Sequence, residues 1–327
     1  MNSGSVANWR RRDADMTARD PPGASNGSGS DPAPHTNQAT GEEETEETTA
    51  PLDGDGVADP LAITSVLEAI TAQNRAIPVV APLWTEYRLA ACHLDLLKQR
   101  IDLFGEGGKL RCGYFSRTKT FVHEVPSSAH QMCANKFRWS VYEKVLRLCP
   151  SLAELPFVKE VIFDHSPTIE ASDGQGNDFH QADLFVNHIL SMDYGFCLEF
   201  AYAQKRDRLS DLAQFYIHDS ETETRLVIGI DYDPKHSKKA TLRTWRRDGD
   251  KLQAHVQDLR ADDGKPIPGD PLRINVLDIA PPHCTPLSMH SKAIEFSVKE
   301  LDDILYVQDY HHWKLWQYGG VPEPRYD

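Results

Sequence analysis

No run in the chain approaches eighteen consecutive apolar residues, which excludes a membrane-spanning helix. Met1–Arg12 has no apolar stretch of the kind a secretory signal carries, so the expectation is an intracellular protein, cytoplasmic or nuclear. Cysteine is scarce and unpatterned. Cys92, Cys112, Cys133, Cys149, Cys197 and Cys284 include no CxxC pair and no framework spacing. That argues against a disulfide scaffold and a Cys-based zinc site, and predicts reduced, mostly buried thiols. Lysine is absent from the first sixty residues, no aromatic residue occurs between Trp9 and Trp84, and no internal repeat is found.

What is present divides unevenly. The first sixty residues hold four Arg and twelve acids, a net charge of −8 against −14 for all 327 residues, so the remainder carries only −6. Residues 1–59 are rich in Gly, Ser, Pro, Thr and acids, with a GEEETEETT run at Gly41–Thr49. Such a segment buries too little apolar surface to offset its ordering entropy and is expected to be a disordered acidic leader. The rest is near-neutral. It neither strongly repels nucleic acid nor offers a strongly basic surface.

Asp59-Pro60 reads as an N-cap followed by Pro at the first helical position, with Leu61, Val66, Leu67 and Ile70 recurring at helical spacing. A second helix is expected over about Leu83–Ile101, which makes 60–110 a helical segment ahead of a domain at 111–327. Short strands around Gly113–Tyr114 and Thr120–Val125 lead to a long amphipathic helix, about Ser128–Leu148. Its buried stripe is Cys133, Phe137, Val141, Val145 and Leu148. Strands are then expected at Val158–Phe163, Ala182–Val186, Phe196–Tyr202, Leu226–Tyr232, Ala240–Trp245 and Arg273–Ile279. One helix, about Asp207–Ile217, interrupts them, and Asp233–Lys239 reads as a hairpin loop. Ser297–Glu300 fits a capping box opening a last helix to about Val307. The fold class expected is α/β, bordering on α+β: a mixed sheet flanked by helices.

The chemistry-bearing block is Phe179–Arg247. Asp183 stands in a short strand, and Glu199 stands in the middle of the next one, sharing a face with Cys197 and Ala201. A carboxylate in a buried strand is costly unless charge is brought to it, and a divalent cation or an ion pair does this. Two carboxylates on neighbouring strands with a Lys nearby suit metal-dependent phosphodiester hydrolysis. The acids hold Mg²⁺ or Mn²⁺, the ion lowers the pKa of a bound water, and the Lys offsets charge on the phosphate. On its own spacing, however, Lys205 reads as a solvent-facing flank of the following helix. Asp231 is expected to end its strand and pair with a base of the hairpin. Lys235, Lys238, Lys239, Arg243, Arg246 and Arg247 form the concentrated basic run, read either as a phosphate-contacting hairpin or as a solvated one.

The segments HQADLFV, CLEFAYAQKRDRLSDLAQFYI and RLVIGIDYDPKHSKKATLRTWR resemble a group of uncharacterised fungal proteins with a PDxxF, VxEVxYSQ, DLxxLAxxYI, VVIGLDIEY, KKATLSVWRP pattern. That group in turn resembles the bacterial restriction-endonuclease-like proteins of the PD-(D/E)XK superfamily. VPSSAHQ at Val125–Gln131 is similar to the signature heading that family's first core helix. The resemblance spans roughly Phe121–Trp245 and implies a PD-(D/E)XK-like domain and a Mg²⁺- or Mn²⁺-dependent endonuclease. Asp183 would be the first metal-binding acid and Glu199 the second. Gln204 and Lys205 would match the polar end of the strand, and His130 the helix His. Three positions depart from the pattern. Ala182 replaces the Pro before the Asp, Ala203 replaces a Ser, and Ala201 stands where E-x-K requires Lys, leaving Lys205 as a migrated replacement. The alternative implied is a catalytically inactive nuclease-fold module that binds protein or nucleic acid.

Overall fold

The computed structural model describes residues 60–75, 84–103, 111–124, 128–149, 151–172, 177–201, 203–232 and 238–319. The first elements are α1 (Pro60–Arg75), β1 (Trp84–Arg88), α2 (Leu94–Leu103), β2 (Arg111–Phe115), β3 (Thr120–Glu124) and the long α3 (Ser128–Arg147). Then follow α4 (Leu155–Lys159), β4 (Val161–Asp164), β5 (Thr168–Glu170), β6 (Phe179–Gln181), β7 (Leu184–His188) and β8 (Ser191–Ala201). The remainder comprises α5 (Ala203–Arg206), α6 (Leu209–Gln214), β9 (Glu223–Tyr232), β10 (Ala240–Asp248), β11 (Lys251–Arg260), β12 (Leu272–Asn275), β13 (Ala293–Phe296) and α7 (Val298–Gly319).

Alternation along β8 organises the molecule. Phe196, Leu198 and Phe200 point into one core, where they meet Cys133, Phe137 and Val141 of α3 and Leu301 and Ile304 of α7. Cys197 and Ala201 point into a second core with Leu209, Leu212 and Ala213 of α6. A strand buried on both faces must be central, and β8 lies within a six-stranded sheet of order β11-β10-β9-β8-β7-β4. The β8–β9 pair is parallel, which requires a crossover, and α5 and α6 supply it; the other pairs are antiparallel. A second, antiparallel sheet has the order β1-β3-β2-β6-β5. Its strands divide their side chains in the same way: Val122 joins the second core, while Phe121 faces α1 and α2 in a third. The architecture is mixed α/β with helices on both faces of the larger sheet.

Several elements differ from expectation for identifiable reasons. The segment expected as one helix over Leu83–Ile101 begins with β1, because Trp-Thr-Glu-Tyr-Arg suits a pleated surface and pairs along its length with β3. Residues 60–110 are therefore not wholly helical, and through β1 they share a sheet with 111–124. Val158–Phe163 is split: Pro156 opens α4, and the strand starts only at Val161. Arg273–Ile279 stops being a strand at Asn275, where a reciprocal Asn275–Asp278 capping box turns the chain into a short helical turn. The expected box at Ser297 is present, Ser297 N–H donating to Glu300 Oε2 at 2.8 Å, and it opens a helix that continues to Gly319. Residues 1–59, the proposed N-cap Asp59 and Lys235 lie outside the described residues. Among the described residues no helix is long and apolar enough to cross a membrane, and the six cysteines are free thiols, Cys133 and Cys197 being buried.

Candidate metal and catalytic site

The β7–β8 register pairs Leu184 with Leu198, so Asp183 and Glu199 come side by side on the face toward the second sheet. Asp183 sits one residue ahead of β7, where the backbone still bends, and the Phe200 N–H donates to its Oδ2 at 2.6 Å. Glu199 accepts a hydrogen bond from the Tyr216 hydroxyl at 2.7 Å. Tyr216 is delivered by the π-type turn Phe215–Asp219 that widens the end of α6.

Immediately after β8, α5 folds Lys205 back over these acids. Its Nζ lies 2.7 Å from Glu199 Oε2, 3.4 Å from Asp183 Oδ2 and 3.1 Å from Glu124 Oε2. Lys205 is 3% exposed. The expectation of a solvent-facing Lys is overturned, because three buried carboxylates attract the ammonium inward more strongly than hydration holds it out. His130, in the first turn of α3, places Nε2 2.8 Å from Asp183 Oδ1. Arg111, at the head of β2, contacts the same oxygen through Nη1. Across the second sheet Trp84, Glu124 and Arg111 form one row, since Glu124 is register partner to both, and that row ends on the site. The Trp84 ring covers it, its centroid 5.6 Å from Lys205 Nζ.

Asp183 and Glu199 are 0% exposed and His130 1%. Burial, reinforced by the charges of Arg111 and Lys205, holds the His130 imidazole well below its ordinary pKa, so the ring is neutral. Burial and the Glu199 charge push the Tyr216 phenol well up, which keeps it a hydrogen-bond donor. Nearby His180 is lowered to about 3, by burial first and then by Lys205. An unfolded His180 would take up a proton near its ordinary 6.5, whereas the folded one resists. Its contribution is thus complete above that pH and is lost as the pH falls toward 3. Acid melts from pH 7 to pH 4 should show wild type losing about 2–3 kcal/mol more than His180→Asn; superimposable acid limbs would contradict this.

Glu124, His130 and Asp183 each offer one ligand atom, all within 4.8 Å of one another. Two carboxylate oxygens and an imidazole nitrogen suit a divalent cation.

No protein-family model and no curated protein matches the chain. The functional reading therefore rests on geometry.

The structure brings Asp183, Glu199, Lys205 and His130 together. Gln204 lies in α5, its side chain outside the described residues. Among the described residues of the basic run, several have protein partners. Arg246 grips Asp278 through both terminal nitrogens at 2.6 and 2.9 Å, and the Arg247 guanidinium donates to the Ile217 carbonyl. Lys239 sits 3.4 Å from Asp258, and the Lys238 stem packs along Gly264. Arg243 is partly buried. Arg246 and Arg247 thus have protein acceptors, while Arg247 remains exposed and Arg246 partly so. Asp231 pairs with Arg206 of α5 at 2.5 Å. Reading the sequence missed Glu124, Arg111 and Tyr216. Glu124 carried a usable signal, an acid closing the apolar run Phe121-Val122; Arg111 carried none.

Proposed function

We propose that the chain is a metal-dependent phosphodiester hydrolase acting on nucleic acid, built on a PD-(D/E)XK restriction-endonuclease-like fold. The observation that carries this reading is the reach of Lys205. Six residues beyond Glu199 and with no E-x-K lysine in the strand, its Nζ still lies 2.7 Å from Glu199 and 3.4 Å from Asp183. The mixed sheet flanked by helices, the acids on adjacent strands and His130 on α3 support it further.

Asp183, with Glu124 and His130 beside it, would hold a Mg²⁺ or Mn²⁺ ion, and Glu199 would join as the second acid where Lys205 yields its Oε2. Bound there, the ion would acidify a water and polarise the phosphoryl oxygens. The residues' own tasks follow from their contacts. Tyr216 and the Phe200 N–H orient the two carboxylates, His130 fixes the rotamer of Asp183, and the Lys205 ammonium is placed to meet negative charge growing on a phosphate.

A second reading is an inactive nuclease-fold module that binds protein or nucleic acid. It is favoured by one observation: the acids are sealed from solvent, with Arg111 and Lys205 as counter-charges. Incubation with plasmid DNA and with single-stranded RNA, in Mg²⁺ or Mn²⁺ and with an EDTA control, separates the two. Metal-dependent cleavage by wild type, reduced by roughly two orders of magnitude or more in Asp183→Ala and Glu199→Ala, is the expected outcome. A wild type that cleaves neither substrate and gains no thermal stability from Mn²⁺ would establish the second reading instead.

A further inference from the structure

Two cations share a pocket with three carboxylates, and they are not equivalent. Lys205 spreads its charge over Glu124, Asp183 and Glu199. Arg111 is concentrated on one atom, Asp183 Oδ1, and its Nη1 also stands 3.5 Å from His130 Nε2. That places the guanidinium among the donors of the Glu124, His130 and Asp183 cluster. A guanidinium nitrogen and a metal ion cannot occupy the same space beside Asp183 Oδ1.

We infer that Arg111 is an internal surrogate for the metal and competes with it, so that cation binding requires the guanidinium to leave Asp183. This rests on the metal reading above. Charge supplies an independent argument. Counting His130 as the neutral imidazole that metal ligation requires, three carboxylates against Arg111 and Lys205 leave the buried pocket one negative charge in excess. Exchanging Arg111 for a divalent cation makes it neutral, whereas adding the cation with Arg111 in place makes it positive. Arg111 is the first residue of its strand and keeps 6% exposure, so it stands at the solvent side of the pocket while Asp183 and Glu199 are fully buried. In the absence of metal it prevents three buried carboxylates from facing one another across a single ammonium.

The test is Mn²⁺ binding, read by electron paramagnetic resonance of free Mn²⁺ and by thermal melts, on the full chain as wild type, Arg111→Met and Arg111→Gln. Both variants should melt below wild type without metal, bind Mn²⁺ at least tenfold more tightly, and gain more in melting temperature on adding it. Should a variant fold only when Mn²⁺ is present, that also supports the surrogate role, since the ion then replaces the missing charge. A variant that is folded by circular dichroism yet binds Mn²⁺ no more tightly than wild type overturns it. So does a pair of unfolded variants that Mn²⁺ does not rescue. Cleavage is scored separately. Wild type that cleaves while the variants bind no more tightly removes this inference alone; tighter binding with no cleavage by any form removes the hydrolase reading and leaves this one standing.

Discussion

Lys205→Met should destabilise the protein by about 3–5 kcal/mol at neutral pH, the range for breaking a buried ion pair from one side. The methionine fills the stem's volume but leaves Glu124, Asp183 and Glu199 with Arg111 as the remaining full counter-charge among these contacts. A carboxylate deprived of its cation in a buried site titrates upward, so the variant's deficit should shrink as the pH falls from 7 to 5. Urea unfolding at both pH values measures it, and Lys205→Met/Glu199→Gln should recover part of the loss. A neutral-pH loss below about 0.5 kcal/mol, the size seen for surface substitutions, would mean that Lys205 faces solvent in solution.

Arg260→Met should cost a similar amount, about 3–5 kcal/mol, for the same physical reason at the other end of the sheet. Arg260 is 2% exposed, contacts the Asp302 carboxylate through Nε and its backbone carbonyl at 2.9 Å, and reaches Asp309 Oδ2 at 2.8 Å. The Tyr232 hydroxyl donates to the same Asp309. These contacts tie β11 and β9 to α7, so the variant should also lose amide protection across Leu301–Leu305 before the six-stranded sheet exchanges. Hydrogen exchange read by mass spectrometry tests this. Uniform loss of protection throughout the chain would show that α7 is docked by its apolar stripe alone.

The elements legible in the sequence were those whose local pattern is self-sufficient. The Cys133, Phe137, Val141, Val145 stripe announced α3, the apolar strands β8 and β9 stood out by composition, and Ser297 and Glu300 marked the start of α7 by a capping box that local spacing alone specifies. What escaped was short, polar or dependent on a distant partner. The strands β5 and β6 have three residues each, too few to show alternation. For β1 the apolar stripe through Leu94 and Ile101 extends helical spacing backward, and only pairing with β3 resolves Trp84–Arg88 as a strand. The far end of α7 passed the expected stop near Val307, a continuation to which the Arg260 and Tyr232 contacts with Asp309 contribute.

The site divides along the same line. Alternation along one strand determined that Glu199 faces inward in apolar company and so must be compensated; no further information was needed for that. Which charges compensate it was decided by tertiary structure. Lys205 meets Glu124 across 81 residues of sequence, and Arg111 meets Asp183 across 72. Local periodicity sets the face on which a side chain lies. The docking of one sheet against another sets which charged groups share that face, and no spacing within either segment encodes that docking.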